Sequence, residues 1–217
     1  MMGQECTLVA AAPYVTASAY KSVIAEAKCL IAVDGGVDLC KALGRVPDVV
    51  IGDFDSATLD GIEWAEASRA KIVRLSTDKD FSDLDAALKY AADMGSPRVN
   101  VTAAFSGRLD HSLACVGSLF RHAHLSPRIS EPGFHGWILA PSGLSTLSLS
   151  MIGQTVSIVT AIGEATVSLD GFRYPLSRGV IDPLSSFAIS NVVERFDSRI
   201  TVHSGVILVT LMSLTDI

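Results

Sequence analysis

The chain has 217 residues, 49% of them hydrophobic, which is enough to bury the core of one large domain or of two small ones. Its formal net charge of −6 argues against a nucleic-acid-binding protein, because such a protein needs a basic face to displace counterions. An acidic protein can still bind polyphosphates if metal ions and a few well-placed cations offset the repulsion.

The cysteines and the N-terminus bear on the compartment. Cys6, Cys29, Cys40 and Cys115 show no CxxC spacing, so we expect buried, reduced thiols and a reducing compartment. No basic residue precedes Lys21, so the N-terminus lacks the charged region of a secretory signal. No apolar run is long enough to span a bilayer. The sequence therefore predicts a soluble, cytoplasmic protein.

Over the first two-thirds of the chain, short apolar runs alternate with helical patterns, which predicts βαβ units and a mainly parallel sheet. The runs show little polar alternation, as expected for strands that are covered on both faces. The predicted strands are Thr7–Ala11, Leu30–Val33, Val49–Ile51, Lys71–Leu75, Arg98–Ala103 and Trp137–Leu139. The predicted helices are Ala17–Ala27, Val37–Leu43, Leu59–Ser68, Asp83–Met94 and Leu109–His122.

The pattern changes after Pro141. Helical periodicity stops, and short strand-like runs separated by turn signals predict a small antiparallel sandwich or barrel. We place the boundary near Pro141, with an α/β domain over residues 1–140 and an all-β domain over residues 141–217. The predicted strands are Leu144–Leu149, Thr155–Ala161, Ala165–Leu169, Phe187–Ile189, Ile200–His203 and Val206–Leu211.

Four successive strands of the predicted parallel sheet are followed by acids, glycines or cations. In such sheets, ligands bind beyond the carboxyl ends of the strands. The recurrence of polar residues at these ends therefore indicates a site. The four segments are Asp34-Gly35-Gly36, Gly52-Asp53-Phe54-Asp55-Ser56, Ser76 to Asp83, and Ser106-Gly107-Arg108-Leu109-Asp110-His111.

Asp53 and Asp55 are the first candidates for metal ligands. In an extended chain, side chains two residues apart point the same way, so both carboxylates would face one point. Mg²⁺ prefers oxygen ligands of this kind. The alternative is a solvated turn whose acids cap the next helix.

The segment after the fourth strand supplies a third candidate ligand. Ser82 or Asp83 would cap the following helix, but capping does not explain Asp78 and Asp80 as well. We therefore favour a further metal ligand from this segment. Lys79 would then meet a phosphate as a point charge.

Two other segments have functional and structural interpretations. Glycines in Asp34-Gly35-Gly36 would let backbone amides approach a nucleotide, or would simply form a strand-to-helix turn. Arg108 stands near a helix start, where anions are favoured, and would bind phosphate bidentately. Asp110 would hold a substrate hydroxyl or amine, unless the two residues are a chance surface pair. His111 is more often a structural hydrogen-bonding residue than a catalyst.

Taken together, these segments resemble the thiamine pyrophosphokinase family. The combination of Gly52-Asp53-Phe54-Asp55-Ser56 with Gly107-Arg108-Leu109-Asp110-His111 is specific, and the matching segments span most of the chain. The resemblance implies an α/β catalytic domain that binds ATP and a C-terminal β-sandwich domain that binds thiamine. It also implies a homodimer that transfers pyrophosphate from Mg-ATP to the thiamine hydroxyl and releases AMP.

The resemblance also implies residue roles. Asp53, Asp55 and Asp83 match the Mg²⁺-binding acids of the family, and Ser190-Asn191 matches the Ser-Asn pair of its thiamine pocket. By the same matching, the catalytic residues are Asp53, Asp55, Asp80, Asp83 and Arg108. The substrate-binding residues are Asp34, Gly35, Gly36, Asp78, Lys79, Arg108, Asp110, His111, Ser190 and Asn191.

Other functions remain open on the sequence alone. Asp53-Phe54-Asp55-Ser56 superficially fits the nucleophile motif of haloacid-dehalogenase-like phosphatases, although that motif normally follows the first strand and here follows the third. A pyrophosphokinase acting on another heterocyclic alcohol, such as a pterin, is the nearest alternative in substrate. A non-catalytic thiamine-binding regulator is the alternative from another class of protein.

Overall fold

The computed structural model describes residues 3–13, 15–105 and 107–212, so Ser106 of the predicted loop lies outside the described residues. The chain forms two compact units. The first comprises Met1–Ser118 and Ser130–Pro132, and the second comprises Leu119–Ile129 and Gly133–Ile217. Among the described residues, no helix is both long and apolar enough to cross a membrane.

The first unit contains a parallel sheet with the strand order β5-β1-β2-β3-β4. Every residue of β1, β2, β3 and β5 is buried, which confirms that these strands are covered on both faces. The strands are β1 (Cys6–Val9), β2 (Cys29–Val33), β3 (Val49–Gly52), β4 (Lys71–Arg74) and β5 (Val99–Thr102).

Helices connect these strands, as the alternating pattern predicted. They are α1 (Lys21–Ala25), α2 (Gly36–Ala42), α3 (Leu59–Ala67), α4 (Asp83–Asp93) and α5 (Leu109–Arg121). The predicted helix Ala17–Ala27 is a 3-10 helix at Ala17–Tyr20 that continues into α1. The hydroxyls of Thr58 and Ser82 cap α3 and α4 by accepting backbone N–H bonds at 3.0 and 3.1 Å. These caps fix where both helices begin.

The second unit contains two antiparallel sheets, with the orders β12-β9-β14-β7 and β11-β10-β13-β8. Ile158 and Val209 of one sheet share a buried core with Val167 and Ile200 of the other, so the unit is a sandwich. Its strands are β7 (Phe134–Leu139), β8 (Thr146–Leu149), β9 (Thr155–Val159), β10 (Ala165–Asp170), β11 (Leu176–Ile181), β12 (Asn191–Val192), β13 (Ser198–Ser204) and β14 (Ile207–Met212). The predicted class, an α/β fold followed by an all-β sandwich, is confirmed.

Some elements differ from the sequence prediction. Phe187–Ile189 is not a strand but part of a turn. Conversely, β11 and β12 were not predicted, and neither was β6 (Arg128–Glu131), whose last two residues belong to the first unit. Pro141 lies between β7 and β8, within the second unit. The assignment of ATP and thiamine binding to separate domains stays a prediction.

Candidate functional site

Three carboxylates meet at the carboxyl edge of the parallel sheet. Asp34 follows β2, Asp53 follows β3, and Asp83 begins α4 after β4. Each offers an oxygen, and these oxygens all lie within 4.8 Å of one another. Parallel strands end at the same edge of a sheet, which is why residues far apart in sequence converge here. We call these three residues the carboxylate group.

Asp34 is held in place by the chain around it. Its backbone is left-handed (φ +49°), and its N–H donates to the carbonyl of Ile51 at 2.8 Å. A Cβ at Gly52 would lie only 2.9 Å from the Cα of Asp34, so glycine is needed for this close approach. The Ser56 hydroxyl donates to Asp34 Oδ2. Asp34 Oδ1 is buried and has no hydrogen-bond partner among the residues that the structure describes.

Lys79 places a positive charge against the carboxylate group. Its Nζ lies 2.5 Å from Asp53 Oδ2 and 3.1 Å from Asp83 Oδ1, and its side chain is only 9% exposed. The hydrogen bond from Lys79 lowers the pKa of Asp53, with burial opposing it. Burial on its own would lower the pKa of Lys79, but the hydrogen bonds and charges of Asp53 and Asp83 outweigh burial and raise it. Lys79 therefore stays protonated.

Asp83 differs from Asp53 in the direction of its pKa shift. Burial raises its pKa, and the nearby Lys79 ammonium opposes the rise only in part. Its Oδ1 is buried and lies 3.1 Å from Lys79 Nζ, in an ion pair without hydrogen-bond geometry. Two buried carboxylate oxygens without hydrogen-bond partners among the described residues, Asp34 Oδ1 and the ion-paired Asp83 Oδ1, are the kind of donors that a hard divalent cation takes. The residues present therefore fit such an ion.

Asp55 does not join the carboxylate group. The expected extended geometry is wrong here, because Phe54 between the two acids is left-handed (φ +67°). The Phe54 ring is buried beneath the guanidinium of Arg74, 4.6 Å from the ring centroid. Asp55 is exposed, and its N–H donates to Asp53 Oδ1 at 3.3 Å. Its role as a metal ligand stays a prediction.

Two further acids and two glycines were predicted to bind substrate near the carboxylate group. Asp78 and Asp80 are exposed. A Cβ at Gly35 would lie 2.9 Å from the Ser56 carbonyl oxygen, and one at Gly36 would lie 2.0 Å from that of Val9. Both glycines are thus explained by close packing. Packing does not bear on whether the two glycines also contact a nucleotide, which stays a prediction.

The loop after β5 carries a pair of opposite charges. Arg108 and Asp110 are each 65% exposed and are joined by hydrogen bonds of 2.6 and 3.3 Å. This pairing raises the pKa of Arg108 and lowers that of Asp110. His111 is exposed at the start of α5. None of Arg108, Asp110 and His111 belongs to the carboxylate group. Their predicted contacts with phosphate and substrate stay predictions.

Ser190 and Asn191 lie in the second unit. Ser190 is exposed and left-handed (φ +57°). Asn191 is 3% exposed, and its amide bonds both backbone groups of Tyr174, at 3.0 Å to N and 2.9 Å to O. Asn191 therefore fixes the Tyr174 segment. The predicted thiamine contact of this pair stays a prediction.

Sequence reasoning missed two features of the first unit. Asp34 was predicted only as a nucleotide-binding residue, although the strand-end rule that selected Asp53 applies equally to it. Glu131, at the end of β6, was not singled out, because an acid before Pro132-Gly133 has the pattern of an ordinary turn. It is buried and accepts a hydrogen bond from the Ala104 N–H at 2.9 Å.

The fold and the site together define an α/β protein with clustered carboxylates at the carboxyl edge of its parallel sheet, joined to a β-sandwich. The family model described as "Thiamin pyrophosphokinase, catalytic domain" matches residues 20–130, just over half of the chain. The chain belongs to this family.

Individual relatives agree with this assignment. The chain is 24% identical over 180 residues to thiamine pyrophosphokinase of Bacillus subtilis, covering 82% of this chain and 84% of the relative. It is 25% identical over 170 residues to thiamine pyrophosphokinase 1 of rice, covering 74% of this chain and 64% of the relative.

Solved structures show the same fold. The crystal structure of the Bacillus subtilis enzyme superposes with a TM-score of 0.82 at 23% identity, covering 97% of this chain and all of the other. Thiamin pyrophosphokinase from Candida albicans superposes with a TM-score of 0.78 at 13% identity, covering 97% and 89%.

Proposed function

We propose that this protein transfers a pyrophosphoryl group from Mg-ATP to the hydroxyl of thiamine, giving thiamine diphosphate and AMP. Membership of the thiamin pyrophosphokinase family supports the reaction. The observation that carries the site is the carboxylate group, with Lys79 against it, at the carboxyl edge of the sheet. Phosphoryl-type transfer needs positioning and charge neutralisation more than covalent help, and this arrangement offers both.

The proposed metal ligands are Asp53 and Asp83 together with Asp34. The buried Oδ1 atoms of Asp34 and Asp83 support this set. Asp55 stays in the proposal as a ligand on the exposed side of the same loop. When bound, Mg²⁺ neutralises charge on the phosphate oxygens. The protein contributes oxygens held by three separate loops, so the ligand geometry is set by the sheet.

Two cations are proposed to contact the polyphosphate. Lys79 is already beside the carboxylate group, and its ammonium acts as a point charge. Arg108 is exposed on the loop after β5 and presents a planar fork that suits phosphate oxygens. Asp110, bonded to Arg108, is proposed to face the acceptor. Asp78, Asp80 and His111 are proposed to line the same substrate loops.

The thiamine contacts, the homodimer and the cellular compartment are also proposals. Ser190 and Asn191 are proposed to lie beside thiamine, with Asn191 shaping the segment through Tyr174. A homodimer is supported by large exposed apolar residues of the second unit, among them Leu184, Phe187 and Phe196. The four cysteines are free and buried, which supports a reducing, cytoplasmic compartment.

The test is to incubate the protein with thiamine, ATP and MgCl₂ and to measure AMP and thiamine diphosphate. We expect both products in equal amounts, with no free phosphate. Asp53→Asn should lower turnover by about 100-fold or more, because it removes a negative charge from the proposed metal site where the polyphosphate binds. Asp34→Asn and Asp55→Asn then show which of the two acids completes the ligand set.

Asp93→Asn is the matched control. Asp93 is an exposed acid on α4 that pairs with Lys89, so its loss should leave turnover within about twofold of the parent. Release of free phosphate, or no transfer to thiamine, would overturn the reaction. Wild-type turnover in Asp53→Asn would overturn the metal assignment while leaving the reaction itself standing.

A further inference from the structure

Glu131 is a buried acid outside the carboxylate group. It is the last residue of β6 and is 2% exposed. Its Oε1 accepts a hydrogen bond from the Ala104 N–H at 2.9 Å. The backbone amides of Ala103 and Phe105 and the side chain of Tyr20 also stabilise its charge. The carboxylate therefore lies against the backbone at the end of β5, with Oε1 on the Ala104 amide, while Oε2 is buried and makes no hydrogen bond to the described residues.

The backbone at these amides has the form of an anion site. Ala103 is left-handed (φ +53°), and successive N–H groups around such a residue form a concave nest that favours a negative charge. Ala103 and Ala104 are both buried, so water cannot replace the carboxylate as their partner. Glu131 thus fixes the direction in which the chain leaves β5. Four residues beyond Ala104, the chain reaches Arg108.

We propose that Glu131 is a positioning residue, which holds the start of the loop after β5 so that Arg108 and Asp110 face the substrates. This role rests on the proposed function. Glu131 touches no substrate in the proposal and acts through the backbone of Ala104. Without the carboxylate, the buried amides lose their partner and the loop departs from β5 in more than one direction.

The charge of Glu131 changes near neutral pH. Burial raises its pKa from 4.5 to about 7, and the backbone amides and Tyr20 oppose the rise. Tyr20 faces it from the 3-10 helix and Cys115 from α5. The pKa of Cys115 is itself raised to about 12, by burial first and then by the charge of Glu131, so this thiol stays neutral. Protonation of Glu131 weakens its bonds to the amides.

The experiment compares Glu131→Gln with Asp48→Asn. Asp48 is the matched control, because its carboxylate also accepts a hydrogen bond from a strand amide. The bond comes from the Leu30 N–H at 2.8 Å, near the start of β2 rather than at the end of β5. In Glu131→Gln, hydrogen exchange of the Ala104 amide should be about tenfold faster, and in Asp48→Asn it should be unchanged. In the parent and the control, kcat/KM for ATP should fall as pH drops through about 7, since the pKa of Glu131 lies there. Glu131→Gln should lack this pH dependence.

A second measurement uses the parent protein alone, so it tests the proposal even if Glu131→Gln does not fold. Protection of the Ala104 amide relative to that of the Leu30 amide, both corrected for intrinsic exchange, should rise as pH rises through about 7, where the pKa of Glu131 lies. The ratio removes the change in global stability, which affects both amides. A ratio that is flat or falls with pH overturns the tie to the backbone. An unchanged pH dependence of kcat/KM in Glu131→Gln overturns the positioning role. A parent protein that makes no thiamine diphosphate instead fails the proposed function, and the exchange data distinguish the two failures.

Discussion

Lys79 Nζ lies 2.5 Å from Asp53 Oδ2, and the two side chains are among the least exposed ionised groups of the first unit. Lys79 follows β4, whereas Asp53 follows β3, so the pair ties together two neighbouring strand ends. The same ammonium is 3.1 Å from Asp83 Oδ1. Lys79 is thus the internal cation of the carboxylate group.

Lys79→Met tests this role. Removal of the ammonium deprives Asp53 and Asp83 of the cation with which they form ion pairs, so the free energy of unfolding should fall by about 3 kcal/mol. Added MgCl₂ should then raise the melting temperature of the variant more than that of the parent. Urea unfolding and thermal melts with and without MgCl₂ measure both effects.

Lys89→Met is the control for this variant. Lys89 pairs with Asp93 at 2.7 Å, but both side chains are well exposed, so the loss should stay within about 0.5 kcal/mol. Equal losses in the two variants would contradict the role of Lys79. So would an equal response of Lys79→Met and the parent to MgCl₂.

Gly36→Ala should destabilise the first unit. A Cβ at Gly36 would lie 2.0 Å from the carbonyl oxygen of Val9, which is strand backbone and cannot move aside cheaply. We expect a loss of about 3 kcal/mol or more in the free energy of unfolding. Gly107→Ala is the comparison, because a Cβ there would meet no heavy atom of the described residues beyond its chain neighbours within 4 Å. Similar stability of the two variants, measured by urea unfolding, would refute the packing argument.

The pKa of Glu131 predicts the sign of a pH dependence in stability. Its folded-state pKa is raised from 4.5 to about 7, so between these values the folded state binds more protons than the unfolded state. The contribution of Glu131 to the free energy of unfolding therefore decreases as pH rises from about 4.5 to about 7, and it is constant above. The difference in unfolding free energy between the parent and Glu131→Gln, measured at several pH values, should follow this curve. A difference that does not vary with pH would contradict it.

Asn191→Ala should destabilise the second unit. The amide of Asn191 is buried and bonds both backbone groups of Tyr174, so its loss leaves buried polar groups unsatisfied. The expected cost is about 2 kcal/mol. Ser190→Ala removes only an exposed hydroxyl and should be nearly neutral in the same urea unfolding assay. A larger loss in Ser190→Ala than in Asn191→Ala would reverse the assignment.

The strand-end rule predicted the site from sequence because it depends only on local patterns. Buried apolar runs followed by acids predicted that Asp53 and Asp83 converge, and the structure brings them together. Asp34 follows a strand in the same way but was predicted only to bind the nucleotide. The extended-chain argument failed at Asp55, because the left-handed backbone of Phe54 depends on packing beneath Arg74. Sequence spacing carries no information about such a contact.

What the sequence by itself determined is the fold class and the order and type of most elements, but not β6, β11 or β12. Periodicity and capping residues such as Ser82 act over a few positions, and they specified the parallel α/β layers and the following sandwich. Only the tertiary structure decided which acids share one space and which backbone amides Glu131 holds. Those contacts join residues distant in the chain, such as Glu131 and Ala104, and they are set by strand order and close packing rather than by local preference.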